Sequence, residues 1–302
     1  MAEQAVSRAR GARSPSVPKT RKTRVSAGSV ILRVGIHAVV IALCALTLFP
    51  VFWMFSTAFK PPKEIFTPTV QLIAPHPTFA NYPQAFRLEP VAWWFLNSAV
   101  IAVAITLGKL AVSIPAAYAF ARCRFPLKRI LFALVLGTMI VPYASTLVPN
   151  YVLIAKFGWI NTSQGVIVPS IAFTGFNIFL LRQYMLSLPQ ELSDAARIDG
   201  AGPWTTLTQM VFPLVRPAVA AVTILSFLSA WNLYLWPLLV LNDTKAKTLS
   251  VGMQYFAANQ EGVQQWGPLM AAATLATLPP LLLYIVAQRA IISAFVTSGS
   301  KG

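Results

Sequence analysis

The sequence predicts an all-α polytopic membrane protein with six transmembrane helices and both termini on the cytoplasmic side. Three observations carry that prediction. Of the 302 residues, 56% are hydrophobic and only 11% charged, against about 25% charged in soluble domains, and mean hydropathy is +0.65. Six apolar runs, each near the roughly 20 residues that a helix needs to cross a bilayer, are separated by modest loops. The basic residues are also divided unevenly between alternate loops, which fixes orientation.

Taken in order, residues 1–30 carry Arg8, Arg10, Arg13, Lys19, Arg21, Lys22 and Arg24 among Ser, Pro and Ala, a composition that predicts a disordered basic arm. Beside a membrane span such an arm holds the N-terminus in the cytoplasm and touches anionic lipid more simply than it binds nucleic acid. Residues 30–59 are too long an apolar run for a signal-peptide core and form the first span. Residues 60–92, rich in Pro and aromatics, make an external loop, and 97–121 a second span. Arg122, Arg124, Lys128 and Arg129 crowd a tight inner loop before the third span, 130–154, which Pro142 and Pro149 interrupt. A short external turn leads to the fourth span, 165–185, with Arg182 at its inner end. Residues 187–217 form a polar cytoplasmic loop, 218–241 the fifth span, 242–266 an external loop, and 267–290 the sixth span. The chain thus divides into the arm and one membrane domain, 31–302.

This layout places seventeen Lys and Arg inside and six outside, with Lys109 alone inside a span. Cytoplasmic loops carry such an excess, so N-in and C-in follow. Proline recurs within the spans, at Pro50, Pro115, Pro142, Pro169, Pro237, Pro279 and Pro280. Each frees a helical carbonyl that in lipid must be satisfied by a neighbour or a wet cavity.

The loop at 187–217 is the longest polar stretch after the arm. Ser187 is placed to cap a helix, with Pro189 in its first turn. Glu191 and Asp194 suit the positive end of the helix dipole, and Gly200 suits a left-handed terminus. The expectation is a helix of about three turns over 188–198, a sharp Asp199-Gly200 turn, and a second helix from Pro203. Leu192, Ala195, Ala196 and Asp199 fall at three- and four-residue spacing, a small-residue face that another protein could approach closely. On local pattern alone, an amphipathic loop lying on its own membrane surface fits as well.

Several function classes are disfavoured. All eight acids (Glu3, Glu64, Glu89, Glu191, Asp194, Asp199, Asp243 and Glu261) lie outside the spans, which argues against a proton-coupled carrier. Gly108-Lys109 lacks both the upstream Gly and the following Ser or Thr of a phosphate-binding loop. His37 and His76 are too scattered for a Ser/His/Asp set. No catalytic residue and no metal cluster is expected, and Cys44 and Cys123 read as small buried hydrophobes. Lys109, the one full charge in a span, reads first as a structural ion pair or carbonyl contact. A polar uncharged and aromatic palette remains in or near the spans: Asn97, Asn150, Tyr151, Asn177, Trp231, Asn232, Tyr234 and Trp236. Sugars and polyols are bound by such groups. Interfacial anchoring and helix-bridging explain the same residue types.

Asp194-Ala195-Ala196-Arg197-Ile198-Asp199-Gly200-Ala201, followed by Phe212-Pro213-Leu214, resembles the EAA loop of permease subunits in ATP-binding-cassette importers, with Asp194 standing where that family has Glu. Trp231-Asn232-Leu233-Tyr234-Leu235-Trp236-Pro237, Gln288-Arg289 and Lys301-Gly302 are similar to the MalG-like branch of the carbohydrate-uptake importers. Ile105-Thr106-Leu107-Gly108-Lys109 and Arg124-Phe125-Pro126-Leu127 look closest to permeases for sn-glycerol-3-phosphate and glycerophosphodiesters. The resemblance runs from about residue 30 to the C-terminus. It implies the type I importer permease fold and a heterodimer with a homologous second permease. It also implies two cytoplasmic ATPase subunits, which would hold ATP and Mg, and an extracytoplasmic binding protein. Glu191, Asp194, Ala195, Ala196, Arg197, Asp199, Gly200 and Ala201 would form the helix that docks on an ATPase. Asn97, Lys109, Asn177, Trp231, Asn232 and Tyr234 are the candidates for the substrate path. A glycerol phosphate substrate, an oligosaccharide of the same branch, and an ion-coupled carrier remain open at this level.

Overall fold

The computed structural model describes residues 27–69, 71–258 and 265–299, without the side chains of 27–31, 193, 197 and 289–299. Most of the basic arm, the side chains of Arg197 and Arg289, and Lys301-Gly302 lie outside the described residues. The elements in order are α1 (Ala27–Ala58), α2 (Pro62–Ile65), α3 (Asn81–Leu88), α4 (Val91–Arg122), α5 (Lys128–Thr138), α6 (Tyr143–Lys156), α7 (Ser163–Ala172), α8 (Gly175–Leu186), α9 (Glu191–Ile198), α10 (Pro203–Thr205), a π-helical turn (Thr206–Val211), α11 (Phe212–Trp231), α12 (Leu235–Val240), a 3-10 turn (Thr244–Ala246), α13 (Leu249–Ala258) and α14 (Trp266–Gly299). Among the described residues there is no strand.

Residues up to 51 and from 52 onward are separate compact units. In the first, the described structure is α1 as far as Val51, and Thr47 Oγ1 returns a hydrogen bond to Leu43 O and Cys44 O, 3.0 Å each. Four helical segments are long and apolar enough to cross a membrane: Leu32–Ala58, Val91–Arg122, Pro203–Val240 and Trp266–Gln288. Two further spans are broken. The third expected span is α5 and α6, which meet at 96°, and the fourth is α7 and α8, which meet at 45°. Pro142 accounts for the sharper bend: it disfavours the helical region for Val141 and caps α6 from an extended backbone.

Within the second unit α4 is the central helix, packed against α7, α8, α11 and α13. Two apolar clusters flank it. Trp94, Ile101, Ile105, Trp231, Trp236, Val240 and Phe256 belong to the outer one. Ala117, Leu181, Met185, Leu207, Val211 and Val215 belong to the inner one. Close approach is explicit at Gly108, where a Cβ would lie 2.3 Å from Ile171 Cδ1, so α7 rests directly on the α4 backbone.

Two sequence expectations need correction. The external segments are not plain loops: α13 is a ten-residue helix with Leu249, Val251, Gly252 and Phe256 buried. Its burial comes from tertiary contact with α4 and α14 rather than from length or periodicity. The two cysteines are free but not core residues, since Cys44 is exposed and Cys123 half-buried.

Candidate functional site

The loop after α8 builds the helix that the sequence singled out, with shifted bounds. Ser187 ends α8 instead of capping the next helix, its Oγ donating back to Tyr184 O at 2.8 Å. Pro189 disfavours the helical region for Leu188, and the first α9 bond runs from Asp194 N to Gln190 O, 3.2 Å. The helix is therefore eight residues rather than three turns, with Glu191 and Asp194 in its first turn. At its far end Gly200 has φ +74°, and Ala201 N donates to Ala196 O at 2.9 Å. That six-to-one bond around a left-handed glycine is a Schellman terminus.

Two faces of α9 follow. Ala196 is fully buried in its own chain, on the helix that packs against the π-helical turn. Alanine is small enough to let the two elements meet there. The sequence had paired Ala196 with Ala195 as outward-facing contacts, but the structure uses Ala196 as the seat of the helix. The outward face is Leu192, Ala195 and Ile198, all exposed, with Ile198 at 87%. Glu191, Asp194, Asp199 and, beyond the turn, Trp204 are exposed around it. Asp199 lies at the negative end of the helix dipole, where a carboxylate does not help the helix. The π-helical turn carries a bond from Phe212 N to Leu207 O and ends two residues before Pro213, which cannot supply the next helical N–H. The loop therefore runs without a break into α11.

Arg122 and Arg182, inner charges by sequence, do more in the structure: Arg122 holds the start of this loop, and Arg182 ties α8 to α4 and α5. Arg122, the last residue of α4, donates through Nη2 to Met185 O and Leu188 O, 2.6 Å each, and more weakly through Nη1 to Gln190 Oε1 at 3.4 Å. Arg182 on α8 donates through Nε to Phe120 O at 3.1 Å, and its guanidinium stacks 4.1 Å from the Phe132 ring centroid. The available signal was position: each arginine sits in or near the last turn of a span, where carbonyls lack helical partners.

The six substrate-path candidates do not converge. Asn97 clamps the external segment to α4, donating to Lys245 O at 2.8 Å and Lys247 O at 3.1 Å. Asn177 bridges α8 to α11 by donating to Ser226 Oγ at 2.9 Å. Tyr234 OH donates to Gln254 Oε1. Trp231 is buried, and its Nε1 donates to Ala276 O at 3.1 Å. Trp231 and Asn232 do share a cavity of about 250 Å³ with Leu249, Ser250, Met253, Ala276, Thr277 and Pro280. Lys109 is half-buried midway along α4, and among the described residues no hydrogen bond or ion pair reaches its ammonium.

Residues 31–296 match the model of the binding-protein-dependent transport system inner membrane component family. The chain is 36% identical to the sn-glycerol-3-phosphate transport system permease protein UgpE of Pectobacterium atrosepticum, over 89% of this chain and 95% of that one. Identity is 34% to the UgpE of Escherichia coli, over 87% and 95%, and 32% to that of Brucella melitensis, over 86% and 94%. The fold is similar to a chain in the crystal structure of a bacterial ABC transporter involved in the import of the acidic polysaccharide alginate. There the TM-score is 0.80 at 21% identity, covering 87% of this chain and 98% of that one. A helical chain with up to six spans, an exposed helix between the fourth and fifth, and these matches agree. The chain belongs to the inner membrane components of binding-protein-dependent transport systems, as a multi-pass, non-catalytic permease subunit of an ATP-binding-cassette importer.

Proposed function

We propose that this permease passes sn-glycerol-3-phosphate or a glycerophosphodiester through the inner membrane by alternating access, driven through α9 by a separate ATPase subunit. The observation that carries the substrate is the 32–36% identity to UgpE proteins over almost the full length of both chains. For coupling, the support is the outward row Leu192, Ala195 and Ile198, with Trp204 beyond the turn. A helix offering small and aliphatic groups on one face fits an apolar groove, and Asp199 offers a carboxylate at its rim. ATP and Mg would be held by the two ATPase subunits, and a homologous second permease would complete the path. Lys109 lies midway along α4 and, having no partner among the described residues, is suited to meet a phosphate.

One observation favours the second reading, an oligosaccharide. The cavity at Trp231 and Asn232 is lined by an indole, an amide and hydroxyls, with no cation. Membership of the importer family removes the ion-coupled carrier. The deciding experiment is a ligand screen on the cognate binding protein by calorimetry, followed by uptake into proteoliposomes containing the whole transporter. Tight binding and ATP-dependent uptake of sn-glycerol-3-phosphate are expected. Tight binding of maltose- or trehalose-like sugars, with none of phosphate esters, would overturn the substrate.

A further inference from the structure

At the inner end of the second unit, α4 and α8 exchange arginines. Arg122 leaves the end of α4 for the last carbonyls of α8, and Arg182 leaves α8 for Phe120 O in the last turn of α4. Each guanidinium thus neutralises the negative end of the other helix and satisfies carbonyls with no helical donor. The two bonds to Met185 O and Leu188 O, at 2.6 Å each, are short charge-assisted contacts of the strong kind. Two features make this more than a generic helix contact. Leu188 and Gln190, both reached by Arg122, are the linker that starts α9. The stack of Arg182 on Phe132 also brings α5 into the same junction.

The outer end of α4 is gripped just as specifically. Trp94 Nε1 donates to Thr244 O at 2.6 Å, Asn97 holds Lys245 O and Lys247 O, and Ser98 Oγ accepts from Leu249 N at 2.7 Å. Gly252 lies against the Trp94 indole so closely that a Cβ would be 2.2 Å from Cδ2. α4 is therefore a 32-residue rod fastened at its inner end to the root of α9 and at its outer end to the segment carrying α13.

We propose that the Arg122–Arg182 clasp is the positioning device that transmits displacement of α9 to the external segment through α4. The hydrogen bonds of the two arginines go to backbone carbonyls and one side-chain amide of this chain. They act through α9 and α4, and without them α9 moves on a loosened hinge at Leu188–Gln190. The inference rests on the proposed role of α9 as the helix that the ATPase moves, and the identity of the substrate does not enter it.

The test uses the complete transporter in nanodiscs with its cognate binding protein, in a Cys44→Ser, Cys123→Ser background. An environment-sensitive fluorophore sits on Lys245→Cys, beside the outer grip of α4. ATP with vanadate should change its emission in the parent. Arg122→Gln should keep the ATPase subunits in the complex and bind ATP, while the emission change falls at least roughly tenfold, as expected when a charged hydrogen bond is lost from the coupled state. Arg182→Gln should act in the same direction, the double variant should add little to Arg122→Gln, and Arg122→Lys should restore part of the response. A merely structural role predicts something else: less assembled complex, with a full emission change in what remains. That result, or an unchanged response in both single variants, would overturn the proposal.

Discussion

Gly252 and Trp94 show how individual residues set the spacing of the outer end. Trp94 is fully buried and already committed to Thr244 O, so it cannot yield to a methyl at Gly252. Gly252→Ala should cost about 1–3 kcal/mol, the usual range for overpacking a filled site, read as a lower unfolding temperature of the purified complex. The same substitution at Gly137, which has nothing within 4 Å, should be harmless or slightly stabilising because it sits inside α5. At this scale the sequence was only partly legible. Gly200 announced its left-handed turn through its place just after the expected polar helix. The contact of Gly252 with Trp94, far apart in sequence, leaves no local pattern. Nor does the burial of Ala196: two adjacent alanines look alike until the π-helical turn claims one of them.

Among the elements, α9 shows best what terminates a short helix. Pro189 sets its start, and the Gly200 turn sets its end through Ala201 N and Ala196 O. Since nothing crowds Gly200, the penalty for replacing it comes from the backbone. Gly200→Val should strain the positive φ, whereas Gly200→Asn should be tolerated because Asn visits that region. Uptake per ATP hydrolysed should fall in the first variant and stay near the parent in the second; equal loss in both would deny the turn its role. The helix was legible because a polar, capped stretch between two apolar runs has few other solutions. Its length was not, since Ser187 fits the end of one helix as well as the start of the next. The break in the third span was signalled by Pro142, whereas Pro149 and Pro169 sit inside α6 and α7 and the fourth span breaks beyond Pro169, at 173–174, with angles that no proline specifies.

For the whole molecule, six spans with basic residues gathered on one side set the orientation. Cysteine replacing Thr78 should be labelled by an impermeant maleimide in intact cells, and cysteine replacing Trp204 only after permeabilisation. The reverse pattern would invert the topology. Fold class and the place of α9 were readable because hydropathy and charge asymmetry act over whole segments. The transport path was not, because the polar residues of the spans mostly serve as clamps: Asn97, Asn177 and Tyr234 each hold another part of the same chain. The family works with ATPase subunits, a second permease and a substrate-binding protein, so the central claim is that α9 is where ATP hydrolysis enters this subunit. Co-purification of the ATPase subunits with Ile198→Glu and Ala195→Trp variants tests it most directly, with ATP-driven uptake measured on the same membranes. Both substitutions lie on the exposed face and should leave membrane insertion unchanged, while ATPase recovery and uptake fall at least roughly tenfold, as loss of an interface anchor predicts. Normal recovery and normal uptake in both variants would contradict the account and leave α9 a surface helix of the membrane domain.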